Sequence, residues 1–289
     1  MRQVFLALFV LLFAPAAFAV QPYVTGTPLP AADLPALVSR VEQALRADGF
    51  TVVGSHRPRG LDAYASVVVT DPAMLDAVRA AGGVAIVAAV LRVGIKSDGT
   101  VSYMNPDYWY RATLRSAFDA AQPAIRSVQA RLAHALGAGT PFGGDVPAAD
   151  LPSYHYMFGM ERIESSRNEL ASFASFDDAV RTVHDNLAKG VARTAPVYEV
   201  TMPGAKLALF GVAMNDPEHG EAWWVGTIGP DNVAALPYEI YIVGNKAYAL
   251  YARYRIALSW PALGLGQFMR IARAPDLIQQ MLGRVAGNP

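Results

Sequence analysis

Tyr64-Ala65-Ser66-Val67-Val68-Val69-Thr70-Asp71-Pro72 is a β-branched run that stops at an Asp-Pro step. Leu207-Ala208-Leu209-Phe210-Gly211-Val212-Ala213-Met214-Asn215-Asp216-Pro217 is a second apolar run with the same ending. Short apolar runs bounded by such a signal read as buried strands. Asp before Pro also reads as a helix start, because the carboxylate accepts a free N–H and proline has none to lose at the first position. Superposing the two Asp-Pro steps aligns Val52–Arg111 with Val197–Ile256 at a constant offset of 145, with twelve of 60 positions identical. Pro58/Pro203, Leu91/Leu236, Ile95/Ile240, Gly99/Gly244 and Tyr103/Tyr248 are among them. The order repeats as well: a β-rich run, a helical stretch, a Leu-led strand, a Gly turn and a Tyr-bearing strand. A period of this size is read as duplication before anything else is assigned.

Working outward, Leu34, Leu37, Val38, Val41 and Leu45 form one helical stripe, and Phe176, Ala179, Val180, Val183 and Leu187 repeat it at an offset of 142. Strands are expected over Phe50–Ser55, Tyr64–Thr70, Val90–Lys96 and Thr100–Met104, with Ser97-Asp98-Gly99 as a hairpin turn. Leu114, Phe118, Ile125, Val128, Leu132 and Leu136 predict a long amphipathic helix kinked at Pro123. A second tail helix is expected over Asp276–Val285. The Gly- and Pro-rich stretch between the copies reads as a linker. The predicted architecture is therefore α+β: two homologous two-layer domains, each a small mixed sheet covered by helices. Residues 20–136 form the first repeat, 137–153 the linker and 154–289 the second repeat.

Ahead of both copies, Arg2, the apolar run Val4–Phe13 and Ala17-Phe18-Ala19 have the parts of a secretory signal peptide, with cleavage expected after Ala19. Val84–Val93 is cut by Arg92, and Ile256–Leu265 by Pro261 and Gly264, so no membrane span is expected in the mature chain. A soluble periplasmic protein is expected. With no cysteine, its fold rests on its core alone.

The second copy resembles the domain of unknown function 302 family. The resemblance rests on Leu207-Ala208-Leu209-Phe210-Gly211, Asn215-Asp216-Pro217, and Ala235-Leu236-Pro237 followed by an alternating strand and Gly244. It covers about 100 residues. The first copy departs from it, with Thr70-Asp71-Pro72 at the Asn-Pro step and Leu91-Arg92 in place of Leu-Pro. The resemblance implies a small α+β domain with helices on one face of a mixed sheet. It also implies dimerisation, which extends the expectation to a homodimer. It implies no activity and no catalytic residues.

Composition narrows the function classes. The 289 residues carry 24 Lys+Arg against 24 Asp+Glu, with 17% charged and 53% apolar. A basic surplus is absent, so no nucleic-acid partner is expected. Without cysteine there is no thiolate metal site or cysteine nucleophile. Nucleophile-elbow, Walker and zincin motifs are absent from the sequence.

Three clusters remain. Asp216, Glu218, His219 and Glu221, with Asp71 as the first-copy counterpart, have the donor set for a metal or for acid–base work. The same residues read equally as a helix cap with acids in its first turn. Tyr103, Tyr108, Trp109, Tyr110 and Arg111 match Tyr248, Tyr251, Arg253, Tyr254 and Arg255. Together they read either as a groove that stacks a flat or anionic ligand or as core. Tyr154-His155-Tyr156-Met157 reads as a copper ligand set or as an aromatic plug. No metal or cofactor is expected.

The functional expectation is a non-catalytic periplasmic binding or accessory protein, its partner a small molecule or an envelope protein. One alternative is a cofactor-independent hydrolase using Asp216, Glu218 or His219. The other is a structural partner in an envelope complex, in contact through Phe268–Leu282.

Overall fold

A computed structural model of the chain describes residues 18–157 and 159–288. Most of the predicted signal segment, and Phe158, lie outside the described residues.

In the first half, Asp33 accepts the Ala36 N–H at 2.8 Å and starts α1 (Leu34–Ala47), which buries Leu34, Leu37, Val41 and Leu45 along the expected stripe. It follows β1 (Ala19–Val20) and β2 (Tyr23–Thr25) and leads into β3 (Thr51–His56) and β4 (Tyr64–Thr70). Asp71 then caps α2 (Pro72–Ala81) by accepting from Met74 N at 2.8 Å, with Pro72 at the first position. A 3-10 turn over Gly83–Ala88 precedes β5 (Leu91–Lys96) and β6 (Val101–Met104). The hairpin between them turns at Gly99, whose φ of +87° suits glycine. Asp98 secures that turn by accepting the Thr100 N–H. The helical tail is two helices, not one: α3 (Pro106–Leu114) and α4 (Phe118–Leu136) part at Arg115, where φ is +54°, and Pro123 sits inside α4.

The second half repeats the plan with β9 (Glu169–Ser172), α5 (Phe176–Ala188), β10 (Thr194–Met202), β11 (Leu207–Met214) and α6 (Glu221–Ile228). A 3-10 turn over Pro230–Ala235 leads to β12 (Tyr238–Val243), β13 (Lys246–Tyr248) and α7 (Ala252–Ser259). Two further helices, α8 (Leu265–Arg270) and α9 (Ala274–Val285), close the chain.

The fold is α+β. One sheet runs β3-β4-β5-β6-β2-β7, with β7 at Pro141–Phe142, and the other β10-β11-β12-β13-β9, so five strands share one order in both. Every ladder among the described residues is antiparallel, whereas mixed sheets were expected. The reason is that the helical crossover α1 carries the chain from β2 to the opposite edge strand, so no two strands joined by a helix become parallel neighbours. The equivalent edge strands β3 and β10 each carry a bulge, at Val53 and at Val197.

The single offset of 145 resolves into several. β4 and β11 begin at Tyr64 and Leu207, 143 apart, whereas β5 and β12 begin at Leu91 and Tyr238, 147 apart. Leu91 therefore opens a strand, whereas Leu236, its aligned identity, precedes one. The Gly- and Pro-rich stretch after α4 is laid along the first half: β7 (Pro141–Phe142) pairs with β2, and β8 (Val146–Pro147) pairs with β1.

The first sheet is covered on one face by α1, with α4 packed on that helix and α2 packed on α4. Its other face meets the second half. The Pro230–Ala235 turn lies on β4 and β5, and the Gly83–Ala88 turn lies reciprocally on β11 and β12. One contiguous apolar core spans both halves. The alternate β5 residues Arg92, Gly94 and Lys96 all face the Pro230–Ala235 turn. Arg92 Nε donates to Ala234 O at 3.0 Å, and Lys96 Nζ to Asp231 Oδ1 at 2.5 Å. A Cβ on Gly94 would stand 2.6 Å from Val233 Cγ1. Glycine there lets the turn approach the strand.

Candidate functional site

Arg92, the second residue of β5, and Glu239, the second residue of β12, reach one another between the two halves. Arg92 Nη1 donates to Glu239 Oε1. Arg255, from α7, donates through Nε to Glu239 Oε2 at 3.3 Å, through Nη1 to Ser259 Oγ, and through Nη2 to Ala235 O at 2.7 Å. All three side chains are buried, with relative exposures of 2% for Arg92, 3% for Arg255 and 5% for Glu239. Two guanidiniums thus share one carboxylate in an apolar interior, leaving an excess positive charge. Burial, which penalises the charged form, lowers the Arg92 pKa to about 10 and lowers that of Arg255. The Arg255 guanidinium lies 5.5 Å from the Trp109 ring centre and 5.6 Å from that of Tyr238. Tyr198 stands beside Arg92, its hydroxyl pushed up to about 12, chiefly by burial.

A small cavity of about 20 Å³ lies against this triad. Arg92, Arg255 and Glu239 line it together with Met104, Trp109, Tyr110, Thr113 and Leu250. Buried polar groups are normally hydrogen-bonded. The Tyr110 hydroxyl is buried without a partner among the described residues, and so is that of Tyr198.

The aromatic cluster expected from the sequence is dispersed. Tyr108 OH donates to Leu258 O at 2.8 Å, Tyr103 OH to Gly137 O at 3.0 Å and Trp109 Nε1 to Pro22 O at 2.8 Å, so these buried rings brace one segment against another. Tyr254 is buried edge-on to Tyr154, and Tyr248 stacks on Tyr241 with centroids 5.3 Å apart. Arg253 donates to Glu161 at 2.6 Å. Arg111 pairs with Asp107 and lies 4.2 Å over Phe118, at an open cleft with Asn105 and Asp145. Of the aromatic and arginine positions expected to line a groove, the structure brings Trp109, Tyr110 and Arg255 to the cavity and places the others elsewhere.

The polar cluster is divided too. Asp71 is buried, capping α2 and paired with Arg131. Asp216 caps a turn by accepting from Glu218 N and His219 N at 3.0 and 2.9 Å, and α6 begins five residues later. Its carboxylate lies 3.5 Å from Arg193 and 3.6 Å from His219, in a surface cleft of about 400 Å³. Glu218 is exposed. Glu221 turns inward instead and meets His56 Nε2 at 2.6 Å, both side chains buried and the other Glu221 oxygen unpartnered among the described residues. Tyr154 and Tyr156 bond through their hydroxyls to Ala257 O and Leu263 O, which packs that segment over the second half. Among the described residues no group of three or more His, Asp or Glu has metal-binding geometry, and no helix is long and apolar enough to cross a membrane.

Arg92 and Glu239 escaped selection on sequence as charge partners. The available signal was a charged residue interrupting an apolar run, as Arg92 does. His56 carried no such signal, since its partner is 165 residues away. No family model matches the chain, and no curated protein sequence matches it.

Proposed function

We propose that this chain is an exported, non-catalytic binding protein of the periplasm, built from two repeats resembling the domain of unknown function 302 family. Its small ligand is held in the cavity between the two sheets. The observation that carries this reading is the pair of buried guanidiniums sharing Glu239 beside that cavity. A wall of apolar side chains with a few convergent polar groups is the usual make-up of a small-ligand site. The shared strand order of the two sheets supports the repeat, and the Arg2-to-Ala19 segment supports export.

A melting-temperature screen of the mature protein against anions, cations and neutral molecules of about one to three heavy atoms, the size the cavity admits, tests the binding reading. Saturable stabilisation is expected in the wild type and is lost in Thr113→Met, which fills the cavity. If no class of compound stabilises the protein, the reading falls.

The structural-partner alternative draws on a different observation. On α8, Leu265 and Met269 are 55% and 62% exposed at i, i+4 spacing, an apolar edge on a surface helix. Retention of an envelope protein in crosslinking pull-downs, lost in Leu265→Ser/Met269→Ser, supports that alternative.

A further inference from the structure

We infer that the cavity between the sheets is an anion site that takes one small monovalent anion, of halide size, as counter-ion to Arg92 and Arg255. This rests on the reading of that cavity as the ligand site. Three observations converge on it.

Charge comes first. Glu239 is the one carboxylate bonded to either guanidinium among the described residues, so the triad carries one uncompensated positive charge out of contact with bulk water. A buried charge is expensive unless paired, and a neutral occupant leaves the imbalance in place.

Donors come second. The buried Tyr110, which lines the same cavity, has a hydroxyl without a partner. A phenol O–H is a donor to an anion. The uncommitted group is thus of the kind an anion satisfies.

Size comes third. About 20 Å³ is room for one water-sized particle. Sulfate, phosphate or a peptide carboxylate on its chain needs the two halves to part, whereas a halide does not.

The test uses mature protein dialysed into halide-free gluconate buffer and titrated with sodium bromide at constant ionic strength, read by calorimetry and by melting temperature. Saturable one-to-one binding is expected, with a bromide anomalous-scattering peak between Arg92, Arg255 and Tyr110 in crystals grown with the salt. Tyr110→Phe removes one donor without removing a charge and is expected to fold, because that hydroxyl is unpartnered. Its bromide affinity should fall by about tenfold, the effect of losing one charge-assisted hydrogen bond. Arg92→Met should abolish binding. Should Arg92→Met not fold, Tyr110→Phe alone decides.

A non-saturating effect equal for bromide and gluconate, or saturable binding unchanged in Tyr110→Phe with no peak in the cavity, overturns the proposal. Should neutral compounds nonetheless stabilise the wild type and not Thr113→Met, the anion class fails and the binding reading stands. If neither neutral compounds nor bromide bind, both fall.

Discussion

Replacing Glu239 by glutamine keeps the side-chain volume and removes the one carboxylate that Arg92 and Arg255 share. Each contact is gross Coulomb attraction at close range. At the 3.3 Å separation of Arg255 Nε and Glu239 Oε2, an effective dielectric of about 20 makes one pair worth about 5 kcal/mol. Desolvation of the three groups has already cancelled much of that in the native protein. What remains after Glu239→Gln is two unneutralised guanidiniums facing one another in the same apolar interior. Breaking a buried pair from one side costs about 3–5 kcal/mol, a large share of a stability of about 5–15 kcal/mol.

Urea-induced unfolding at neutral pH, followed by circular dichroism, should show the unfolding free energy falling by that amount, through a lower midpoint at an unchanged slope. The melting temperature should drop on the order of 10 °C. Arg92→Met/Glu239→Leu/Arg255→Met removes all three charges together and should recover most of the loss, because an apolar triad has no desolvation to offset. A Glu239→Gln loss under about 1 kcal/mol would mean that the guanidiniums do not depend on Glu239, and the reasoning about buried charge here would be wrong.

Three further outcomes are expected. Gly94→Ala drives a methyl into Val233 and should cost about 1–3 kcal/mol, whereas Gly204→Ala, with nothing within 4 Å, should change stability by less than about 0.5 kcal/mol; equal effects in a paired unfolding experiment would contradict the packing of β5 on the Pro230–Ala235 turn. His56→Ala strands the buried Glu221 carboxylate and should destabilise the protein by about 3 kcal/mol or more, with His56→Ala/Glu221→Leu milder than the single variant in thermal unfolding. Burial raises the hydroxyls of Tyr23, Tyr108, Tyr110, Tyr238 and Tyr254 and takes those of Tyr154 and Tyr198 to about 12. The native state then keeps protons that the unfolded chain releases from about pH 10 upward, so stability should fall as pH rises through that range; complete tyrosinate absorbance from folded protein near pH 10 would refute this.

Much of the secondary structure is local and was readable as such. Leu34, Leu37, Val41 and Leu45 needed only a period of 3.6, and Tyr64–Thr70 only its β-branched run, because each pattern is satisfied within one element. The Asp71 cap followed from the chemistry of an unpaired N–H, and Gly99 from the φ a tight turn imposes. Other features left no local trace. β2 and β9 have three and four residues, too few for a period, and exist because an open edge beside β6 and β13 accepts them. The break at Arg115 overrides an apolar stripe that continues across it from Leu114 to Phe118, because α3 and α4 pack on different neighbours.

The candidate site lay furthest from the sequence. Arg255 was selected for an aromatic neighbourhood, Arg92 was visible as a charge interrupting an apolar run, and Glu239 was one acid in an alternating strand. The sequence by itself determined that the chain repeats a set of elements and which face of each helix is apolar, since these follow from residue type and spacing alone. Only the tertiary structure decided that β5 and β12 meet at their second residues, that Arg92, Glu239 and Arg255 share one interior, and that Asp216 and Glu221 part company. Burial, charge balance and close approach are properties of surfaces in contact, and those surfaces come from segments more than 140 residues apart.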